Sequence, residues 1–179
     1  VIILFLGVIV VVQYNRLVLL KNTIDQAFAD IDVQLKNRFD LIENLVNTVK
    51  GYASHEKQTL TQLAEARTAF LNAGNNMSLK AKADNELSSA LKSLFAVSEN
   101  YPDLKANTNF LELQRELSNL ENKLAAARRF SNSTIKEYDV ALQSFPTNLI
   151  ANIFGFKKQK NYFAVTTEAE KKVPTVKFE

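Results

Sequence analysis

Few side chains in this 179-residue sequence have the types and spacing that chemistry requires. The single histidine, His55, precedes Glu56 as in the opening of a zinc-helix motif, but HExxH needs a second histidine four residues on, and position 59 is Thr. Ser54 and Lys57 have the outline of a Ser-Lys nucleophile pair, yet neither of the partner segments that such sites need follows them. The chain has no cysteine, which excludes thiolate nucleophiles, thiolate zinc sites and disulfides. Its four glycines are isolated, so no phosphate-cradling loop exists. A catalytic site needs convergent polar groups around a tuned base. None is visible, and the sequence implies no enzyme, no cofactor and no metal.

The informative polar residues are those set against apolar ladders. Arg38 interrupts such a ladder early in the chain, and Arg128, Arg129, Ser131, Asn132 and Thr134 accompany one near its end. Asp32, Asp40, Glu99 and Glu121 supply carboxylates. These residues would form a buried ion pair or polar layer, which sets helix register more than it stabilises. The functional alternative is an Arg/Asp/Asn-lined site for a peptide, a small ligand or a protein partner. Arg38 is expected to pair with Asp32, Asp40 or Glu121.

Helices must position them. Leu17, Ile24, Phe28, Ile31, Leu35, Ile42, Leu45, Val49 and Tyr52 step by threes, fours and sevens, the period of a helix burying one seam. No Gly or Pro occurs between Gly7 and Gly51, so from Tyr14 this reads as one helix of ~37 residues, or ~55 Å. Leu60, Leu63, Ala66 and Phe70 form a second ladder, and Gly74-Asn75-Asn76 a turn. Leu79, Ala83, Leu87, Leu91, Leu94 and Val97 form a third, which ends before Tyr101-Pro102. Asn109 and Glu112 have capping-box spacing, and Phe110, Leu113, Leu117, Leu120, Leu124, Ala127, Ser131, Thr134, Tyr138, Ala141 and Phe145 continue as a last long helix.

The ends differ from the middle. Residues 1–12 are uncharged and cover ~18 Å, short of a ~30 Å hydrocarbon core. Residues 1–13 are expected to be the C-terminal part of a transmembrane helix that continues upstream and runs on into the first bundle helix; a buried core strand or helix is the alternative. Tyr14 and Arg16 would then mark the interface. Residues 146–160 carry Phe154, Phe156, Lys157 and Lys158 on an amphipathic turn, which would either lie in the membrane interface or cap the open end of the bundle. Residues 161–179 have no helical period and read as an extended tail. The expected fold is all-α: an elongated antiparallel up-down four-helix bundle over residues 14–145, with an N-terminal transmembrane helix continuous with the first helix.

Ile31 to Val46, IDVQLKNRFDLIENLV, resembles the signature of the LemA family, departing from it at Asn37 and at Glu43, where the family usually has Pro. A helix boundary near Asp40 is therefore a competing placement of the first break. Glu99 to Asn107, Leu120 to Lys123, Ala126 to Phe130, Phe145-Pro146 and Val173 to Phe178 are similar to its later blocks. The resemblance implies a membrane-anchored helical domain and no particular reaction.

The net charge of +3, from 22 basic and 19 acidic residues spread along the chain, does not suit nucleic acid. The expected function is a non-catalytic, single-pass scaffold of the bacterial cytoplasmic membrane. A sensory or adaptor module passing a helix shift to a membrane partner is the alternative, and an enzyme with an unrecognised site is the third reading. Arg16 and Lys21 directly follow the apolar run, which puts the bundle on the cytoplasmic side. Val18, Leu19, Leu20, Val33, Leu41 and Val46 lie off the main seam and point to a homo-oligomer in the bilayer.

Overall fold

A computed structural model describes residues 2–160 together with Phe163. The tail expected over residues 161–179 otherwise lies outside the described residues. Among the latter the chain forms six helices and no strand: α1 (Ile2–Lys50), α2 (Lys57–Asn72), α3 (Met77–Ser98), α4 (Pro102–Lys105), α5 (Thr108–Gln143) and α6 (Thr147–Phe154). At 49 residues, α1 is about 74 Å long, and α5 at 36 residues about 54 Å. Glu43 and Asp40 leave α1 unbroken; the helix ends at Lys50, before Gly51.

Cross-helix pairs fix the topology. Along α1, Gln13 meets Thr147, Arg16 meets Glu137, Arg38 meets Glu121, and Tyr52 just beyond it meets Asn107. The partner numbers fall as the α1 numbers rise, so α1 and α5 are antiparallel along almost all of α5. Glu43–Arg67 and Phe39–Phe70 make α2 antiparallel to α1, and Asp32–Lys80 with Arg38–Asp84 makes α3 parallel to it. This is an up-down-up-down helical bundle.

The two middle helices are shorter, so the bundle has two regions. From Ile31 to Val49, α1 shares one core with α2, α3, α4 and α5. Below that, Leu17, Leu20 and Ile24 of α1 pack against Ile135, Tyr138 and Ala141 of α5 and Ala151 of α6. Two long helices alone cannot enclose a core, and α6 supplies the third wall. It buries Thr147, Ile150 and Ala151.

The ladders correspond to buried faces with local exceptions. Leu35, Leu45, Leu117 and Leu124 are all at most 2% exposed. Tyr52 and Leu79, expected on the seams, are exposed instead, because they sit beyond the end of α1 and in the first turn of α3. Phe145 is 79% exposed, since α5 stops at Gln143 and extended backbone at Ser144 carries Phe145 out of the helical period. The cap of α5 is Asn107 rather than Asn109. Its extended backbone frees the side-chain oxygen to accept from the Phe110 amide at 2.9 Å, whereas Asn109 already lies inside the helix. Of the off-seam apolar residues, Leu20 is buried and Leu41 and Val46 pack on the core, because four-helix packing widens the buried face of α1. Leu19 and Val33 remain exposed.

No helix among the described residues is long and apolar enough to cross a membrane. The segment expected to be transmembrane forms the first turns of α1, continuous with the bundle helix as expected. It extends past α6 with Leu4, Phe5, Val8, Val11 and Val12 exposed.

Candidate functional site

Arg38 sits between Leu35 and Ile42 on the buried face of α1, so the seam carries its guanidinium into the core. The side chain is 2% exposed, and its Nη1 donates to Asp84 Oδ1 at 2.6 Å. Asp84, 1% exposed, accepts from Arg128 of α5 through its other oxygen, so one buried carboxylate ties α1, α3 and α5 together. Charge-assisted bonds of this kind are the strong ones. Glu121 is a secondary partner of Arg38, at 3.5 Å and largely exposed.

A second pair lies one turn of α3 away. Lys80 is buried, donates to Asp32 of α1, and places its Nζ 5.4 Å from the centre of the Phe70 ring. Phe70 stacks on Phe39 with centres 4.2 Å apart. On the opposite side Phe163 covers Arg128, ring centre 4.9 Å from the guanidinium carbon. Among the described residues Arg38 Nε, Arg128 Nε and Ser131 Oγ are buried without a hydrogen-bond partner, so the layer is incompletely satisfied.

Of the candidate residues, then, Arg38, Arg128, Glu121 and Asp32 lie in or beside this layer. Asp32 pairs with Lys80 and not with Arg38. Asp40 and Arg129 point to solvent. Glu99 holds Lys105 at 2.5 Å across an exposed surface near α4. Thr134 Oγ1 donates to its own helix at Phe130 O, 3.0 Å away. Asp84 and Lys80 were not expected. Their signal was present: Lys80, Asp84, Leu87 and Leu91 step by four, three and four, so both charges occupy ladder positions.

The segment around α4 is also built for structure. Pro102 opens α4, Leu104 is fully buried, and Tyr101 donates its hydroxyl to Glu56 at 2.8 Å. That hydrogen bond to a carboxylate, with desolvation, raises the Tyr101 phenol above its ordinary pKa. Asn107 donates to the Tyr52 hydroxyl at 2.9 Å. These bonds tie the connections at this end of the bundle together. His55 and Ser54 are exposed in the first of those connections.

At the opposite end, Tyr14 meets Phe154 and Phe156 edge-on, centres 4.8 and 5.7 Å apart. Lys157 and Lys158 follow, exposed, and Arg16 reaches Glu137 at 3.7 Å. Burial, then the nearby carboxylates of Asp139 and Asp25, raise the Tyr138 phenol. Among the described residues no group of three or more His, Asp or Glu could hold a metal. One buried carboxylate bonded to guanidinia from two other helices is an arrangement suited to setting helix register.

A family model described as the LemA family matches residues 27–178. Magnetosome protein MamQ 2 of Paramagnetospirillum magneticum is 23% identical over 176 residues, covering 84% of this chain and 64% of that protein. Protein LemA of Metamycoplasma hominis is 26% identical over 137 residues, 76% of this chain and 63% of that one. Magnetosome protein MamQ of Magnetospirillum gryphiswaldense is 22% identical over 171 residues, with 82% and 63% covered. The chain therefore spans slightly under two-thirds of the length of these relatives.

Proposed function

The chain belongs to the LemA family, and from its structure we propose that it is a non-catalytic helical scaffold seated in a membrane by one end of its bundle. The observation that carries this is the distribution of exposed apolar side chains. Leu4, Phe5, Val8, Val11 and Val12 on α1, with Phe145, Leu149, Ile153 and Phe154 around α6, all lie at the same end. Elsewhere exposed apolar residues are scattered, which is normal for a protein surface. A concentrated patch marks a membrane or partner surface.

Residues 2–12 of α1 measure ~17 Å, enough to pass the middle of a ~30 Å hydrocarbon core. Helix α6 both caps the two-helix region and turns Ile153, 78% exposed, outward, as an interfacial helix would. The two readings of this segment are compatible.

The full-length protein is expected to float with phosphatidylcholine vesicles. Val8→Asp, Val12→Asp and Ile153→Asp together should abolish flotation, because a charge costs ~2.5–3.5 kcal/mol at the centre of a membrane helix, where Val8 lies deepest of the three, and less at the interface. A wild-type protein left in the aqueous fraction would refute the reading.

Assembly is the second part of the proposal. Phe5, Val12, Leu19 and Val33 are all exposed and stand at multiples of seven residues along α1, with Gln26 filling the gap. Such a row lies on one side of a helix and suits a second α1 running parallel to it. Light scattering on the solubilised protein should give an oligomer, and Leu19→Glu with Val33→Glu a smaller species. A wild-type monomer at all concentrations would sink this part.

A further inference from the structure

Helix α6 ends in Gly155, whose left-handed backbone (φ 74°) turns the chain back towards α1. The Phe156 amide donates to Ala151 O at 2.9 Å and fixes that turn. The returning residues 156–159 leave a groove of about 670 Å³ between themselves, α1 and Tyr138. Lys21, Asn22 and Asp25 line it from α1, and Lys157 and Lys158 from the returning chain, so three cations face one carboxylate.

The face of α1 that forms one wall has a direction. Val11, Tyr14, Val18, Lys21 with Asn22, and Asp25 succeed one another by threes and fours, so they share one side of the helix. Going up it, the surface passes from exposed valine, through the Tyr14–Phe154–Phe156 aromatic cluster, to the lysines. Lys21 stands ~10 Å above Tyr14 along the axis, on the scale of one headgroup layer. Apolar below, aromatic at the boundary and cationic above is the order in which a phospholipid presents acyl chain, ester region and phosphate.

We propose that this groove binds one anionic phospholipid, its phosphate among Lys21, Lys157 and Lys158 and an acyl chain along Val11 and the outer face of α6. The proposal rests on the membrane seating argued above and adds a headgroup-selective site to it. Asn22 supplies a neutral donor for a phosphate or glycerol oxygen, and Asp25 marks the upper limit of the anionic site.

Flotation of the full chain on phosphatidylcholine vesicles, with and without phosphatidylglycerol, tests both levels. Phosphatidylglycerol should tighten wild-type binding, and Lys21→Gln and Lys158→Gln should each weaken that gain by about fivefold, the fold-change for ~1 kcal/mol per lysine. Binding to phosphatidylcholine alone should be unchanged. Lys136→Gln is the control: this lysine lines a different hollow, with Arg16 and Glu137, at a similar height on α5. Equal losses for Lys136→Gln and Lys21→Gln would mean diffuse attraction and overturn the groove while leaving the seating intact. Displacement of the lipid by glycerol phosphate at comparable concentration would show that the site takes soluble phosphates, and would overturn the lipid assignment. Native mass spectrometry should retain one phosphatidylglycerol per chain in the wild type and lose it in Lys21→Gln with Lys158→Gln. Failure to float on either vesicle would overturn both proposals.

Discussion

Asp84→Ala is expected to destabilise the protein by about 3–5 kcal/mol, the range for removing one partner from a buried ion pair. Arg38 would remain 2% exposed with its 2.6 Å acceptor gone, and only the distant, exposed Glu121 left to it. A guanidinium cannot be neutralised by losing its proton, so the helices would have to part to admit water. Arg38→Leu should cost less, because Asp84 keeps Arg128. Removing both charges, with Arg38→Met and Asp84→Leu, should recover most of the loss, since well-packed apolar replacements of buried pairs are often neutral or better. Arg128, partly exposed, can then extend its head to solvent. Thermal unfolding of the solubilised protein followed by circular dichroism gives the ordering. A single Asp84→Ala variant that melts with the wild type would show the layer to be energetically idle.

The ordering also bears on why the layer exists. A double variant that is stable but loses its oligomeric state or unique packing would identify the layer as a register device. Arg38 and Asp84 come from parallel helices on the diagonal of the bundle, and Arg128 from a third helix, so a one-turn slip of α1, α3 or α5 breaks a bond. The apolar ladders do not discriminate against such slips as strongly, because Ile31 and Leu35, and Ile42 and Leu45, stand one turn apart and are similar buried residues.

How much of this could be read beforehand depended on the type of signal. Periodicity located every long helix, because a 3.6-residue period repeated over many turns is hard to mimic by chance. It also placed Arg38 inside the seam. Its partner was obscured because carboxylates in this chain are many and spacing within one helix says nothing about contacts between helices. Asp84 occupies a ladder position, but the Ala83 beside it satisfies the same apolar count. Phe39 was missed for a related reason. It stands next to Arg38, off a single seam, and is buried only because α2 covers a second side of α1.

Chain ends were harder. Whether 147–154 capped the bundle or met lipid could not be read from hydropathy, because both need an apolar face. The packing shows that a helix of eight residues can do the first with Ile150 and Ala151 while Leu149 and Ile153 stay outside. The cap at Asn107 was displaced by two residues from its expected place since α4, only four residues long, has no periodicity by which to fix where it stops. Residues 2–12 are apolar all round instead of amphipathic, a pattern shared by segments buried in protein and segments buried in lipid.

Leucine truncation should separate the two regions of the bundle. Leu35→Ala, in the shared core of five helices, is expected to cost about 4–5 kcal/mol, the upper part of the range for buried leucines. There α1 is hemmed in by α2, α3 and α5 and cannot move to fill a cavity without opening another on its far side, so both the transfer term and the cavity term apply. Leu17→Ala, equally buried but in the two-helix region, should cost about 2–3 kcal/mol, because α6 is short and can settle inwards. The modes of failure should differ too. Leu35→Ala should lower the global transition. Leu17→Ala should first release α6, raising hydrogen exchange at residues 147–154 while amides of α3 stay protected, as expected for local rather than global opening. Membrane contact would oppose this, since the outer face of α6 is also its proposed lipid face, so Leu17→Ala should be less damaging in vesicles than in mild detergent. Equal costs, with exchange rising uniformly through α1, α3 and α5, would mean that the bundle and its membrane-facing end unfold as one unit.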